Sequence, residues 1–237
     1  MRTGVIGYGH GDRELSGFLA LEEGGGKRPG VLVVHGGAGL DEHAKGRAMQ
    51  VASLGYVAFA CDLYGGGVGG DRQRIMARAT ELSGDPVQLC GLAQAGLDVL
   101  RSQAEVDAAR VAAAGYCFGG MTVLQMARIG AEVAGVASIH GSLKTTIPAS
   151  AGRIKAKVLV CHGALDPHVP MTDVNAFMEE MNGAGADWQL IVYGGAMHGF
   201  THENAVDGKI PGVAYQRAAD LRSRAALRTF LEEVFAV

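Results

Sequence analysis

The stretch Val111-Ala112-Ala113-Ala114-Gly115-Tyr116-Cys117-Phe118-Gly119-Gly120 decides how the rest of the chain is to be understood. A short apolar run with strand character ends at a glycine, a single reactive residue stands at the apex, and further glycines lead into a helix-like segment. This is the strand, sharp turn and helix of a nucleophile elbow, G-x-S-x-G, with Cys117 in the serine position. The flanking glycines have a steric purpose, because the turn brings backbone against backbone and holds the central residue in a strained conformation.

A five-residue pattern is weak alone, since buried packing cysteines also sit beside glycines. Two later segments raise its value. Lys157-Val158-Leu159-Val160-Cys161 has the composition of a buried strand and runs into His162-Gly163-Ala164-Leu165-Asp166-Pro167, which puts Asp166 on a loop past a strand end. Trp188 to Tyr193 forms the next strand, followed by Gly194-Gly195-Ala196-Met197-His198-Gly199-Phe200, which puts His198 on the matching loop. Nucleophile, acid and histidine, in that chain order on three strand-end loops, define the triad Cys117, Asp166 and His198. The chemistry it implies is acyl transfer through a thiol, with oxyanion donors from the N–H of Phe118, just after the nucleophile, and of Gly37, in the glycine turn after the first buried strand.

The surrounding pattern gives an α/β class: short apolar strands alternate with helices, as in a mostly parallel central sheet with helices on both faces. Strands are expected over Ile6 to Gly11, Leu15 to Leu21, Gly30 to His35, Tyr56 to Cys61, Val111 to Tyr116, Val133 to His140, Lys157 to Cys161 and Trp188 to Tyr193. Helices are expected over Glu42 to Leu54, Arg72 to Ser83, Pro86 to Gln103, Met171 to Asn182 and Tyr215 to Phe235, besides the one the elbow opens. Gly141 to Arg153 is the irregular connection, an ordinary surface excursion in preference to a lid. With neither repeat nor linker, the 237 residues are expected to make a single α/β-hydrolase domain, 1–237.

These residues resemble the dienelactone hydrolase family of α/β-hydrolases. The resemblance rests on the cysteine elbow, Val34-His35 with its glycine turn, Cys61-Asp62-Leu63-Tyr64 after a strand, the Gly163 to Asp166 segment, and His198-Gly199-Phe200. It implies hydrolysis of small lactones or carboxylic esters through a thioester acyl-enzyme. Members of the family carry a glutamate where this chain has Gly36, and a pair of arginines for a substrate carboxylate. Arg74 falls where the first arginine is expected, and His202 stands at the place of the second. Gly36, Tyr64, Arg74 and His202 are therefore the expected substrate-binding residues, and Gly36 implies a simpler Cys117/His198 couple without the thiol switch of the family.

Other classes are disfavoured. A formal charge of −3 gives no basic footprint for nucleic acid or for an anionic membrane. Neither a signal peptide nor a membrane span is expected, so the chain is expected to be cytoplasmic, with a small-molecule substrate, as monomer or homodimer. Cys61, Cys90 and Cys161 sit in or beside apolar segments and suit reduced, buried thiols. His162 and His168 flank Asp166 without a third spaced ligand, so no metal is expected. The cluster Gly65-Gly66-Gly67 with Gly69-Gly70 lacks the lysine and spacing of a phosphate loop, and no cofactor is expected; a mobile loop bordering the site is the preferred reading of it. Two alternatives stay open: a thioesterase or acyl-transfer enzyme on the same triad, and a non-catalytic α/β-hydrolase scaffold that only binds a ligand.

Overall fold

Apolar runs too short for helices build the strands of this protein, and a computed structural model, which describes residues 1–66, 68 and 70–236, shows how they are ordered. Gly67 and Gly69 of the expected mobile loop lie outside the described residues. Eight strands form a mostly parallel sheet in the order β1-β2-β4-β3-β5-β6-β7-β8. The chain divides into two compact units, Met1–Ala114 and Gly115–Val237.

The first unit contains β1 (Arg2–His10), β2 (Arg13–Leu21), β3 (Arg28–Val34), α1 (Glu42–Ser53), β4 (Val57–Cys61), α2 (Arg72–Gly84), α3 (Pro86–Arg101) and most of β5 (Val106–Tyr116). β1 and β2 make an antiparallel hairpin whose turn is Gly11-Asp12. β2 runs antiparallel to β4, which pairs in parallel with β3 from Gly30↔Val57 to Val34↔Cys61. Val31 to Val34 and all of β4 are buried, as continuous apolar runs require when both faces of a strand are covered. Helix starts follow the polar residues before them. Asp41 accepts from the Ala44 N–H at the head of α1, and Asp85 accepts from the Gln88 N–H at the head of α3, where Pro86 needs no acceptor.

The second unit takes the last residues of β5, then α4 (Phe118–Arg128), β6 (Gly135–Ile139), β7 (Lys157–Gly163), α5 (Met171–Ala184), β8 (Trp188–Tyr193) and α6 (Arg217–Phe235). β6, β7 and β8 are parallel neighbours, in register from Gly135↔Lys157 and from Val158↔Trp188. Their carboxyl ends therefore open on one edge, and the residues that follow each strand are gathered there.

Each expected strand and helix is present, with shifts at the ends. β5 is the clearest: it starts at Val106, five residues before the apolar run at Val111. Its early part is polar because Asp107 and Arg110 reach solvent and pair with each other at 2.8 Å, while backbone pairing continues regardless of side-chain polarity. Gly141 to Arg153 is held down along its length. The Arg128 guanidinium, almost fully buried, donates to both oxygens of Glu180 at 2.9 and 2.8 Å and to the Leu143 carbonyl at 2.8 Å. Glu180 in turn accepts from the Ala149 N–H at 2.9 Å, and Thr145 donates to Gln125 at 2.7 Å. Among the described residues no helix is long and apolar enough to cross a membrane.

Candidate active site

Cys117 stands between β5 and α4 with φ 53° and ψ −112°, a conformation that costs a residue with a side chain about 1–3 kcal/mol. The turn is fixed sterically by glycines. A Cβ on Gly115 would lie 2.0 Å from the Gly119 carbonyl oxygen, and one on Gly120 would lie 2.7 Å from Ser138 Oγ. Only glycine lets the strand fold so tightly onto the first turn of the helix. Phe118 opens α4, so its N–H belongs to the first helical turn, where N–H groups have no acceptor within the helix.

His198 and Asp166 are brought to Cys117 by the loops after β8 and β7. His198 Nε2 is 3.1 Å from Cys117 Sγ, and Nδ1–H donates to Asp166 Oδ2 at 2.8 Å. The other carboxylate oxygen, Oδ1, accepts from the His168 and Val169 N–H groups at 2.8 and 3.2 Å. The Asp166 side chain is fully buried, whereas that of His198 keeps a small exposure of 14% and Cys117 is partly exposed. Cys117 and His198 thus remain open to a ligand while Asp166 is sealed in.

The electrostatics follow from these bonds. Burial works against a charged His198, but the bonds to Asp166 and Cys117 outweigh it and raise its pKa from 6.5 to about 10. Burial works against the Asp166 carboxylate as well, yet the bond to His198 and the backbone donors hold it below the ordinary carboxylate range. His162, nearly buried on β7, is pushed below the usual histidine range by burial. Together these describe a thiol facing an imidazole whose protonated form is stabilised.

The loops around the triad are tied to one another. The His198 N–H donates to the Gly212 carbonyl at 3.0 Å, its carbonyl accepts from Ala214 at 3.2 Å, and His168 Nε2 donates to the Pro211 carbonyl at 2.9 Å. The His168 ring stands edge to face with His198, centroids 5.3 Å apart. On the other side the His140 ring meets His198 at 5.5 Å, and His202 lies against His140 at 5.9 Å. The histidine expected at the substrate end is therefore part of a group of rings beside His198.

The remaining expected residues lie in the first unit. His35 is fully buried after β3; its Nδ1–H donates to the Gly36 carbonyl at 2.7 Å and its Nε2 accepts from the Leu63 N–H at 3.1 Å. Tyr64 is also fully buried, its ring edge to face with His35 and its hydroxyl donating to the Gly37 carbonyl at 3.1 Å. It supports the glycine turn from below. Asp62 is a backbone cap, accepting from Tyr64 and Gly65 at 2.8 and 3.0 Å. Arg74, on α2, donates to the Gly66 carbonyl at 2.9 Å. The residues that a reading of the sequence underrates are His140 and Thr201, joined at 2.8 Å. The placement of His140 directly after a strand that ends beside the elbow was the available signal; nothing local marks Thr201.

A mostly parallel sheet with a strained cysteine after β5, hydrogen-bonded through a histidine after β8 to a buried carboxylate after β7, is that of an α/β-hydrolase. The model of the dienelactone hydrolase family matches residues 15–235. The chain belongs to that family, and it is an ester or lactone hydrolase acting on small molecules. Among solved structures, m3DLH is 41% identical, with 99% of each chain covered and a TM-score of 0.92. A dienelactone hydrolase-like promiscuous phosphotriesterase from metagenomic libraries is 38% identical, with 99% of each chain covered and a TM-score of 0.93. A protein of Methylorubrum extorquens, named as a candidate carboxymethylenebutenolidase, is 30% identical over 201 residues, 80% of this chain and 69% of that protein.

Proposed function

We propose that this protein cleaves small carboxylic esters or lactones through a Cys117-His198-Asp166 triad and a thioester acyl-enzyme. The observation that carries this reading is the unbroken line of contacts from Asp166 Oδ2 to His198 at 2.8 Å and from His198 to Cys117 Sγ at 3.1 Å, with the cysteine strained at the elbow. The Cys117 thiolate attacks the carbonyl carbon, and the carbon–oxygen π pair moves onto oxygen. Collapse of the adduct expels the alkoxide or enolate, which takes a proton from His198 and leaves a thioester. His198 then deprotonates a water that attacks the thioester, and the second collapse returns the thiolate. Asp166 fixes the imidazole tautomer and stabilises the imidazolium.

The oxyanion is assigned to the N–H groups of Phe118 and Gly37, from their places after the nucleophile and after β3. We take 1–237 as one catalytic domain, supported by a family model that runs from 15 to 235. Gly36, Arg74 and His202 are assigned to substrate binding, with Tyr64 holding the turn.

Intact-protein mass spectrometry after rapid mixing with activated esters and lactones, carboxylated and neutral, tests the reading. A transient acyl adduct on Cys117, absent in Cys117→Ala together with turnover, is expected; a fully active Cys117→Ala enzyme sinks it. The likeness to a promiscuous phosphotriesterase favours a second activity of the same thiol. A phosphotriester with a nitrophenol leaving group belongs in the panel, and a phosphoryl adduct on Cys117 is the result that supports it.

A further inference from the structure

Three loops carry the triad, and one residue outside it touches two of them and the strand that leads into the third. His140 follows β6 directly, with φ 42°, and together with Cys117 it is one of the two residues other than glycine that have positive φ among the described residues. Its own N–H donates to the carbonyl of Cys161 on β7 at 2.8 Å, on the strand that leads into the Asp166 loop. Its ring Nδ1 accepts from the Cys117 N–H at 3.1 Å, a hydrogen that the Ile139 carbonyl shares at 3.0 Å. Its Nε2 meets Thr201 Oγ1 at 2.8 Å, three residues beyond His198.

The chemistry fixes the tautomer. A main-chain N–H can only donate, so Nδ1 must present a lone pair to Cys117 and the ring hydrogen sits on Nε2, donated to Thr201. The ring is buried and oriented by packing, edge to face with Phe200 at 5.0 Å and with His198 at 5.5 Å. The strained main chain of the nucleophile and the loop of the base are thereby bolted to opposite ends of one rigid five-membered ring.

We propose that His140 is a positioning residue for the reaction: the Cys117–His140–Thr201 link holds the elbow and the His198 loop at the separation that lets Sγ and Nε2 meet. It rests on the triad reading above. Its physical basis is that a catalytic contact must be kept within a few tenths of an ångström by groups that are themselves locked, and a displacement of about 1 Å costs about a hundredfold in rate.

The test separates the two ends of the ring. Four variants, His140→Phe, His140→Asn, His140→Gln and Thr201→Val, are compared for kcat and KM on an activated nitrophenyl ester, for the pH dependence of Cys117 alkylation by iodoacetamide, and for thermal midpoint. His140→Phe keeps the ring but loses both bonds. It should lower kcat about ten- to a hundredfold with KM within about twofold, and move the alkylation profile toward that of a free thiol. His140→Asn, whose amide oxygen reaches the Nδ1 position, should recover most of the alkylation profile, and His140→Gln, which reaches only toward Thr201, should not. A parental kcat and alkylation profile in His140→Phe would overturn the proposal. So would equal losses in the Phe and Asn variants that follow their thermal midpoints, which would make the role purely structural. Should His140→Phe fail to fold, Thr201→Val against Thr201→Ser decides: a loss with Val that Ser restores supports the link, and an unchanged Val variant overturns it. Failure of the triad reading itself is distinguishable, because it shows as activity in Cys117→Ala, whereas the alkylation profile reports on His140 without any substrate.

Discussion

At the scale of single residues, the pair Cys117 and His198 sets the behaviour with pH. With His198 raised to about 10 by its two bonds, its charged form persists through the neutral range and favours a thiolate opposite it. Alkylation of Cys117 should therefore stay fast well below the free thiol value of about 8.5, and His198→Ala should move the profile up toward that value. A profile centred on the free thiol in the parent protein would contradict a pre-formed pair. The same shifts bear on stability. His198, raised on folding, contributes fully below its ordinary 6.5 and loses that contribution as the pH climbs through about 10. Asp166, lowered on folding, contributes above its ordinary 3.8 and loses it as acid protonates the carboxylate. Asp166→Asn leaves the shape but removes the charge that holds the tautomer, so kcat should fall about a thousandfold or more with the fold intact by circular dichroism. Cys117, Asp166 and His198 were legible in the sequence because each sits at a strand end whose apolar run announces itself. His140 was visible as another strand-end residue, but its bond to Thr201 was not, since that pairing depends on loops 61 residues apart.

At the scale of elements, the parallel run β6, β7 and β8 is what converts a sequence order into a site. The strands are recognisable because short β-branched and apolar runs bounded by glycine and polar turns leave few other solutions. Strand length was less legible. The early residues of β5 carry charge, and period or composition cannot report a backbone ladder whose side chains reach water. The connection Gly141 to Arg153 was equally opaque, because what orders it is a buried ion pair between α4 and α5, Arg128 with Glu180. Removing one partner leaves a buried charge without its mate, so Glu180→Ala should cost about 3–5 kcal/mol in denaturant unfolding. Replacing both by apolar residues of similar volume should recover most of that loss, and a neutral single variant would show that the pair does not order the segment.

At the scale of the whole molecule, the four cysteines divide sharply. Cys61, Cys90 and Cys161 are buried, and burial pushes the Cys90 and Cys161 thiols up to about 12 and Cys61 higher still. Cys117 alone is partly exposed and faces an imidazole, that of His198. The native protein should take up one alkyl group per chain, on Cys117, and four after unfolding, as read by intact mass. Two or more on the folded protein would place another thiol within reach of solvent.

The sequence by itself determined the kinds and order of the elements, the elbow, and the placing of Cys117, Asp166 and His198 at strand ends, because apolar periodicity and glycine sterics act over a few neighbouring residues. Only the tertiary structure decided that residues 81 apart in the chain meet at 3.1 Å, that Tyr64 lies beneath a turn, and that His140 joins the elbow to the histidine loop. Those are consequences of strand pairing and burial, which bring distant segments together and let buried polar groups such as Asp166 and His140 find partners where local pattern carries no trace of them.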